Sequence, residues 1–444
     1  MMDTPICDFV KGYAESKAVR LHMPGHKGDG FLGVEAFDIT EVDGADVLYC
    51  GDGIIKESQK NASRLFGTAR TLYSTEGSSL SIRAMLYLAC VFAKENGKAL
   101  KIAAGRNAHK TFLTACVLLD FEIDWLYGDK LISCEITPES LDGYLSSVCE
   151  KPVAVYVTSP DYLGKMTDVE GLSRVCKRHG VLLLVDNAHG AYLKFLKDDR
   201  HPITLGADMC CDSAHKTLPV LTGGGYLHIS KTAPKILKEL SEEAMQLFAS
   251  TSPSYLLLQS LDYCNRYIVD SFCDESNVFV KVIDELKSTL VDKGFTLVGD
   301  EPLKVTIATK SYGYKGFEVA EILKAESIVC EFCDPDYICF MPSVQNKLSE
   351  IEALKTALCA LERRPADTLK APSTVKAERG CSPREALMSV SKVLPVDACE
   401  GKIFASVSVS CPPAIPIVVA GEIIDREAIE RMQYYGVKEI RVKI

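Results

Sequence analysis

No stretch of this chain is apolar for the roughly 20 residues that a membrane-spanning helix needs. The longest such run, AMLYLACVFA at 84–93, falls well short. The opening segment, MMDTPICDFVKGYAESK, has no basic region followed by an apolar one, so no signal peptide is expected. Excess positive charge is also missing. Asp+Glu number 60 against 50 Lys+Arg, a net charge of −10, which argues against nucleic acid and anionic membrane surfaces as partners. Internal repeats and low-complexity tracts are absent too, which excludes solenoids and stalks. What remains is a globular composition, 47% hydrophobic and 25% charged over 444 residues, enough for about three folded units at roughly 150 residues each.

Cysteine, by contrast, is plentiful: 18 residues scattered along the chain. Settings such as Cys90 in LYLAC and Cys176 in SRVCKRHG are apolar, which fits buried, reduced thiols in the cytoplasm better than a disulfide framework. The one tight cluster, Cys330, Cys333 and Cys339 in SIVCEFCDPDYICFMPS, lacks a nearby histidine. It reads as two strands joined by an Asp-Pro-Asp turn, and no metal is expected.

Between about 99 and 230 short aliphatic runs alternate with amphipathic segments. KPVAVYVTSP (151–160) reads as a strand, and DVEGLSRVCKRHG (168–180) as a helix with Val169, Leu172, Val175 and Cys176 on one face and Gly180 as its stop. VLLLVDNAHG (181–190) then has the continuous apolar pattern of a parallel strand buried on both faces. GADMCCDSAHK (206–216) and GGGYLHIS (223–230) add two more strands. The alternation predicts an α/β domain with a mostly parallel sheet, whose ligands sit at the carboxyl ends of the strands. Past about 255 long helices and the shorter strands LKVTIAT (303–309) and YICFMPS (337–343), with a helix at 316–327, predict a smaller α+β unit. The polar stretch 363–382 reads as a linker. The expected domains are therefore 1–255, 256–362 and 363–444.

Three strand-end features belong together. Asp186 directly follows VLLLV, Ser213-Ala-His215-Lys216 follows ADMCCD, and the turn Ser74–Ser79 (STEGSS) opens a helical segment. A Gly-Ser-Ser turn at a helix start presents backbone N–H groups, hydroxyls and the positive end of the dipole, a phosphate site in its simplest form. A lysine, a buried carboxylate and a phosphate turn are what pyridoxal 5′-phosphate requires: an amine for its Schiff base, a partner for its ring nitrogen and a cradle for its phosphate. Taken singly, each element is as readily a cap, a solvated lysine or an ordinary turn.

Many ordered segments carry a further likeness: LHMPGHKG (21–28), the block from EVDGADVL to YSTEGSS (41–79), RNAHK (106–110), TSPDYLG (158–164), VDNAHGAYL (185–193), DSAHKTLP (212–219), STSPSYLLLQSLD (250–262) and CPPAIP with AGE (411–422). On these the chain resembles the Orn/Lys/Arg decarboxylases, in a short form without the large N-terminal wing domain. The resemblance implies a fold-type-I pyridoxal-phosphate enzyme: an α/β large domain like that of aspartate aminotransferase, with smaller α+β domains. It implies roles as well: Lys216 for the Schiff base, Asp186 for the ring nitrogen, His109 stacked on the ring and Ala188 on its opposite face. Gly77, Ser78 and Ser79 would form the phosphate turn, Ser213 and His215 its second wall, and Thr251 would reach the phosphate from a partner subunit. The sequence departs from the family pattern at Glu76 (usually Asn), Asn187 (usually Glu), Asp161 (often neutral), Ala414 (usually Gly) and Ala420 (usually Pro).

The implied activity is decarboxylation of arginine, lysine or ornithine to an amine and CO₂, feeding polyamine metabolism, in a cytoplasmic homodimer with active sites at the subunit interface. Lys216 or His215 would return the proton to Cα. Glu422, Glu76 and Asp161 are the candidates for reading the substrate's distal positive charge. Two other readings stand beside this one: an aminotransferase or other Cα lyase on the same fold, or a non-catalytic homologue that binds the cofactor. The segment 300–362 shows no recognisable arginine motif for the carboxylate clamp an aminotransferase uses.

Overall fold

The structure, a computed structural model, describes residues 2–128, 135–372, 376–411 and 415–444; Ala414 lies outside these residues. Seven strands carry the large α/β part: β1 (Arg70–Ser74), β2 (Lys101–Gly105), β3 (Glu122–Leu126), β4 (Ala154–Thr158), β5 (Leu182–Asp186), β6 (Met209–Asp212) and β7 (Gly225–Ile229). The chain divides into two compact units, Met1–Ala99 with Val169–Ser276, and Leu100–Asp168 with Asn277–Ile444.

In the first unit the strands run in the order β1-β7-β6-β5. All five residues of β5 are buried, as the unbroken aliphatic run predicts for a strand covered on both faces. The helix Val169–His179 precedes it, burying Val169, Leu172, Val175 and Cys176 and ending on Lys177, Arg178 and His179, cations that suit the negative end of the dipole. β5 and β6 are parallel, with Asp186 opposite Cys211. β7 departs from expectation by running antiparallel to both β6 and β1. Only the one-turn helix Ala214–Thr217 lies between β6 and β7, so the chain turns back beside β6 instead of crossing over to a parallel strand. The helix Gly77–Glu95 leaves the end of β1 and buries Leu80, Ala84, Leu88 and other apolar residues.

In the second unit β2 lies between β3 and β4, parallel to both. An antiparallel sheet follows, built from β8 (Thr296–Val298), β9 (Val305–Ala308), β10 (Phe332–Cys333) and β11 (Tyr337–Phe340) in the order β10-β11-β9-β8. The Asp-Pro-Asp turn thus joins two strands, and Cys339 is a fully buried strand residue. Among the described residues the only group of metal-type donors is His201, Cys210 and Asp212, not the Cys330 cluster. The C-terminal segment closes a small core of Val396, Phe404, Ile424, Ile429, Met432 and Val442. No helix among the described residues is long and apolar enough to cross a membrane.

Candidate cofactor site

Three backbone features of the first unit converge: the end of β5, the end of β6 and the start of the helix Gly77–Glu95. Asp186, the last residue of β5, is only 2% exposed. Its Oδ1 accepts from the Ala188 N–H at 3.2 Å and lies 3.6 Å from the Cys211 thiol. The turn that follows carries His189, whose Nε2 is 3.0 Å from Lys216 Nζ. Lys216 projects from the one-turn helix Ala214–Thr217 that directly follows β6. Its neighbour His215 points Nδ1 at the Gly224 carbonyl, 2.9 Å away. That oxygen can only accept, so Nδ1 carries the proton and Nε2 is left as the acceptor.

The turn expected to take the phosphate is assembled by backbone packing. The Gly77 N–H donates to the Gly223 carbonyl at 2.6 Å, and the Ser74 hydroxyl donates to the Gly77 carbonyl at 2.7 Å. Gly77 adopts φ +64°, a left-handed conformation open to glycine. Gly225 faces the turn so closely that a Cβ there would meet Asp212 O at 2.8 Å and Gly77 C at 3.0 Å. The Ser213 hydroxyl donates to Ser78 Oγ at 2.9 Å, which links the β6 end to the helix start. Ser78 and Ser79 occupy the first turn of that helix, at the positive end of its dipole.

The donor set fits pyridoxal phosphate. It pairs a lysine amine with an imidazole, buries a carboxylate, and places hydroxyls at a helix N-terminus. Asn187 Oδ1 and Thr217 Oγ1, each one residue along from Asp186 and Lys216, are buried without a hydrogen-bond partner. Glu76 does not intrude on the phosphate turn, because its Oε1 accepts from the Ser250 N–H at 2.7 Å. It holds the exposed loop in which Thr251 lies.

The remaining candidates lie in the second unit. His109 caps the helix Lys110–Leu119, its Nδ1 accepting from the Thr111 N–H. Nδ1 is thereby the acceptor, and the proton sits on Nε2. Asp161 is 6% exposed and closes its own loop by accepting from the Lys165 N–H at 2.8 Å; burial pushes its carboxyl up to about 6. Glu422 is 3% exposed, paired with Arg106 at 2.7 Å and accepting from the Val419 N–H at 2.9 Å. Arg106 also lies over the Trp125 ring, 5.0 Å from its centroid. All three acidic candidates are therefore engaged by neighbours within the protein. The residue that sequence reasoning left without a role is His189. The signal was available as a histidine three residues past a strand-end aspartate, but its contact with Lys216 spans 27 positions.

A model of the Orn/Lys/Arg decarboxylase major domain matches residues 4–293. The chain belongs to the Orn/Lys/Arg decarboxylase family. That family consists of amino-acid decarboxylases, which are pyridoxal-phosphate-dependent lyases. Among curated relatives, the arginine decarboxylase of Bacillus subtilis is 29% identical over 96% of this chain and 92% of its own length. The arginine decarboxylase of Halalkalibacterium halodurans is 28% identical over 95% and 91%. Of the solved structures, E. coli constitutive lysine decarboxylase superposes with a TM-score of 0.78 at 16% identity, covering 100% of this chain and 82% of that one. Francisella novicida lysine decarboxylase gives 0.80 at 17%, covering 99% and 81%. Serine palmitoyltransferase of Sphingomonas wittichii, more distant, gives 0.56 at 14%, covering 81% and 83%. These likenesses establish the α/β fold of the family, with its mostly parallel sheet.

Proposed function

We propose that this member of the family decarboxylates a basic amino acid, arginine, lysine or ornithine, with pyridoxal phosphate held on Lys216, and that the amine produced feeds polyamine metabolism. The observation that carries the reading is the Lys216–His189 contact at 3.0 Å, in the same unit as buried Asp186 and the Ser78–Ser213 hydroxyl pair. When bound, the cofactor supplies an electron sink for the pair left behind as the carboxylate departs. Asp186, with one oxygen fixed by Ala188, would offer the ring nitrogen a carboxylate that burial keeps away from bulk water. His189 would pass or accept a proton at Lys216 Nζ. Ser78, Ser79 and Ser213 would hold the phosphate, with Ala188 against one face of the ring. His215 Nε2 is a second base close to the lysine in sequence.

The reading extends to a homodimer in the cytoplasm. The stretch 19–34 leaves Val19, Leu21, Phe31 and Leu32 at 82%, 91%, 96% and 70% exposure, and a second copy of the chain is the occupant proposed for these apolar side chains. Cys90, Cys176 and Cys211 are buried free thiols, as the proposed reducing compartment requires. The test is CO₂ release from carboxyl-labelled arginine, lysine and ornithine by protein supplied with pyridoxal phosphate and no keto acid. Release from one of the three, lost in Lys216→Ala, is expected. Turnover only with a keto-acid acceptor would overturn the decarboxylase reading, and a monomer by sedimentation would overturn the dimer.

A further inference from the structure

Behind the proposed cofactor site lies a polar cluster that no step above uses. Asp212, at the end of β6, is fully buried, as are His201 and His228. Its Oδ1 accepts from Asn187 Nδ2 at 2.7 Å. Its Oδ2 accepts from His201 Nε2 at 3.1 Å and His228 Nε2 at 3.0 Å. His201 Nδ1 accepts from the Ile203 N–H, which leaves the hydrogen on its Nε2, and His228 Nδ1 meets the Thr71 hydroxyl at 2.9 Å, itself 2.8 Å from Thr68 Oγ1. The Asp212 carboxylate only accepts, so both Nε2 atoms donate to it. Cys210 Sγ lies 3.9 Å from His201 Nε2, which gives the cluster metal-like spacing. A metal would need those same nitrogens as bare lone pairs, however, so the arrangement is one of hydrogen bonds, not ligands.

Asp212 thus accepts three N–H bonds in the core, and one of the three comes from the residue next to Asp186. Asn187 is gripped three ways. Its amide donates to Asp212, its backbone N–H donates to the Cys211 carbonyl at 3.0 Å, and its carbonyl accepts from the Gly190 N–H at 2.8 Å. The last bond closes the turn 187–190 that delivers His189 to Lys216. A carboxylate only accepts, so position 187 must present a donor, which the amide does and a second carboxylate would not. We propose that Asp212 is a positioning residue that sets the His189–Lys216 contact by holding Asn187. The inference rests on the proposed role of Lys216 for its meaning in catalysis, though not for its geometry.

An exchange of partners tests it. Asp212→Asn sets two amide donors against each other or takes the acceptor from the imidazoles, and Asn187→Asp sets two carboxylates face to face. In the double variant N187D/D212N the amide at 212 can donate to the carboxylate at 187 while its oxygen accepts from both imidazoles. Three quantities are read: labelling of Lys216 by an amine reagent in full-length protein freed of cofactor, the pyridoxal phosphate dissociation constant, and the urea midpoint. Each single variant is expected to change the Lys216 labelling rate and weaken cofactor binding by about tenfold, the worth of one hydrogen bond to a charged group. The double variant should recover to within about threefold on the same scale. If D212N does not fold, Asn187→Leu, which leaves Asp212 its imidazoles, should show the same loss. Variants that lower the urea midpoint but leave labelling and binding unchanged would reduce the cluster to a structural one and overturn the proposal, as would stoichiometric zinc in the purified protein. A wild type that labels as expected yet takes up no pyridoxal phosphate at Lys216 would instead overturn the cofactor reading alone.

Discussion

Two carboxylates, one in each unit, meet the same problem with different equipment. Asp212 is fully buried and Glu422 is 3% exposed, and burial by itself drives both toward the protonated form. At Asp212 that drive is more than offset by His201 and His228, and the carboxyl ends well below its usual range. Burial in turn holds His228 below the ordinary histidine value, consistent with a neutral ring that donates. At Glu422 a full positive charge stands 2.7 Å away on Arg106, yet the carboxyl remains pushed up, with Arg106 and the Val419 N–H offsetting only part of the burial. Two imidazoles on one carboxylate, acting through charge and hydrogen bonds together, offset its burial more fully than one guanidinium and one backbone N–H do.

Lys216→Ala gives the largest effect, because it removes the side chain on which the first-unit cluster converges. CO₂ release should fall to below about 10⁻³ of wild type, and pyridoxal phosphate should no longer change the absorbance of the protein. Arg106→Met comes next: it strands Glu422 in the interior and should destabilise the protein by about 3–5 kcal/mol at neutral pH, read from urea unfolding. The pH dependence separates the two regions. A carboxyl raised in the folded state takes up its proton first in that state, so the Arg106→Met deficit should shrink as pH falls from 7 toward about 4.3, the unfolded glutamate value. Asp212, lowered in the folded state, contributes stability that persists above about 3.9, the unfolded aspartate value, and is lost only as pH falls below it. A deficit in Arg106→Met that grew on acidification would contradict the comparison. Gly225→Ala should cost about 1–3 kcal/mol and loosen cofactor binding, since the new methyl meets the backbone of Asp212 and Gly77. Thr71→Val, which takes the hydroxyl from both His228 Nδ1 and Thr68 Oγ1, should cost about 1 kcal/mol, measurable as a small shift in urea midpoint.

How legible each region was in the sequence depends on whether its partners are neighbours in the chain. β5, the helix before it and Asp186 at its end are visible because a five-residue aliphatic run and a 3.6-residue period are local signals. The Asp-Pro-Asp turn between β10 and β11 is visible for the same reason. The reversal of β7 is not, since GGGYLHIS has the same pattern whichever way the strand runs. Nor could spacing reveal that Glu422 belongs to Arg106, 316 positions away, or that Asn187 answers Asp212 across 25. Asn187 looked like a departure from the family pattern. In the folded chain it is the donor that an accepting neighbour demands.

The start of the helix Gly77–Glu95 is fastened on two sides, to the Gly223 carbonyl and by the Ser74 hydroxyl, with Gly225 pressed against it. A grip assembled in this way by main-chain packing has little freedom left to surrender when an anion arrives. Association there should accordingly be governed by desolvation of the incoming group and not by any remodelling of the protein, which would leave the empty and loaded forms nearly superimposable along this turn.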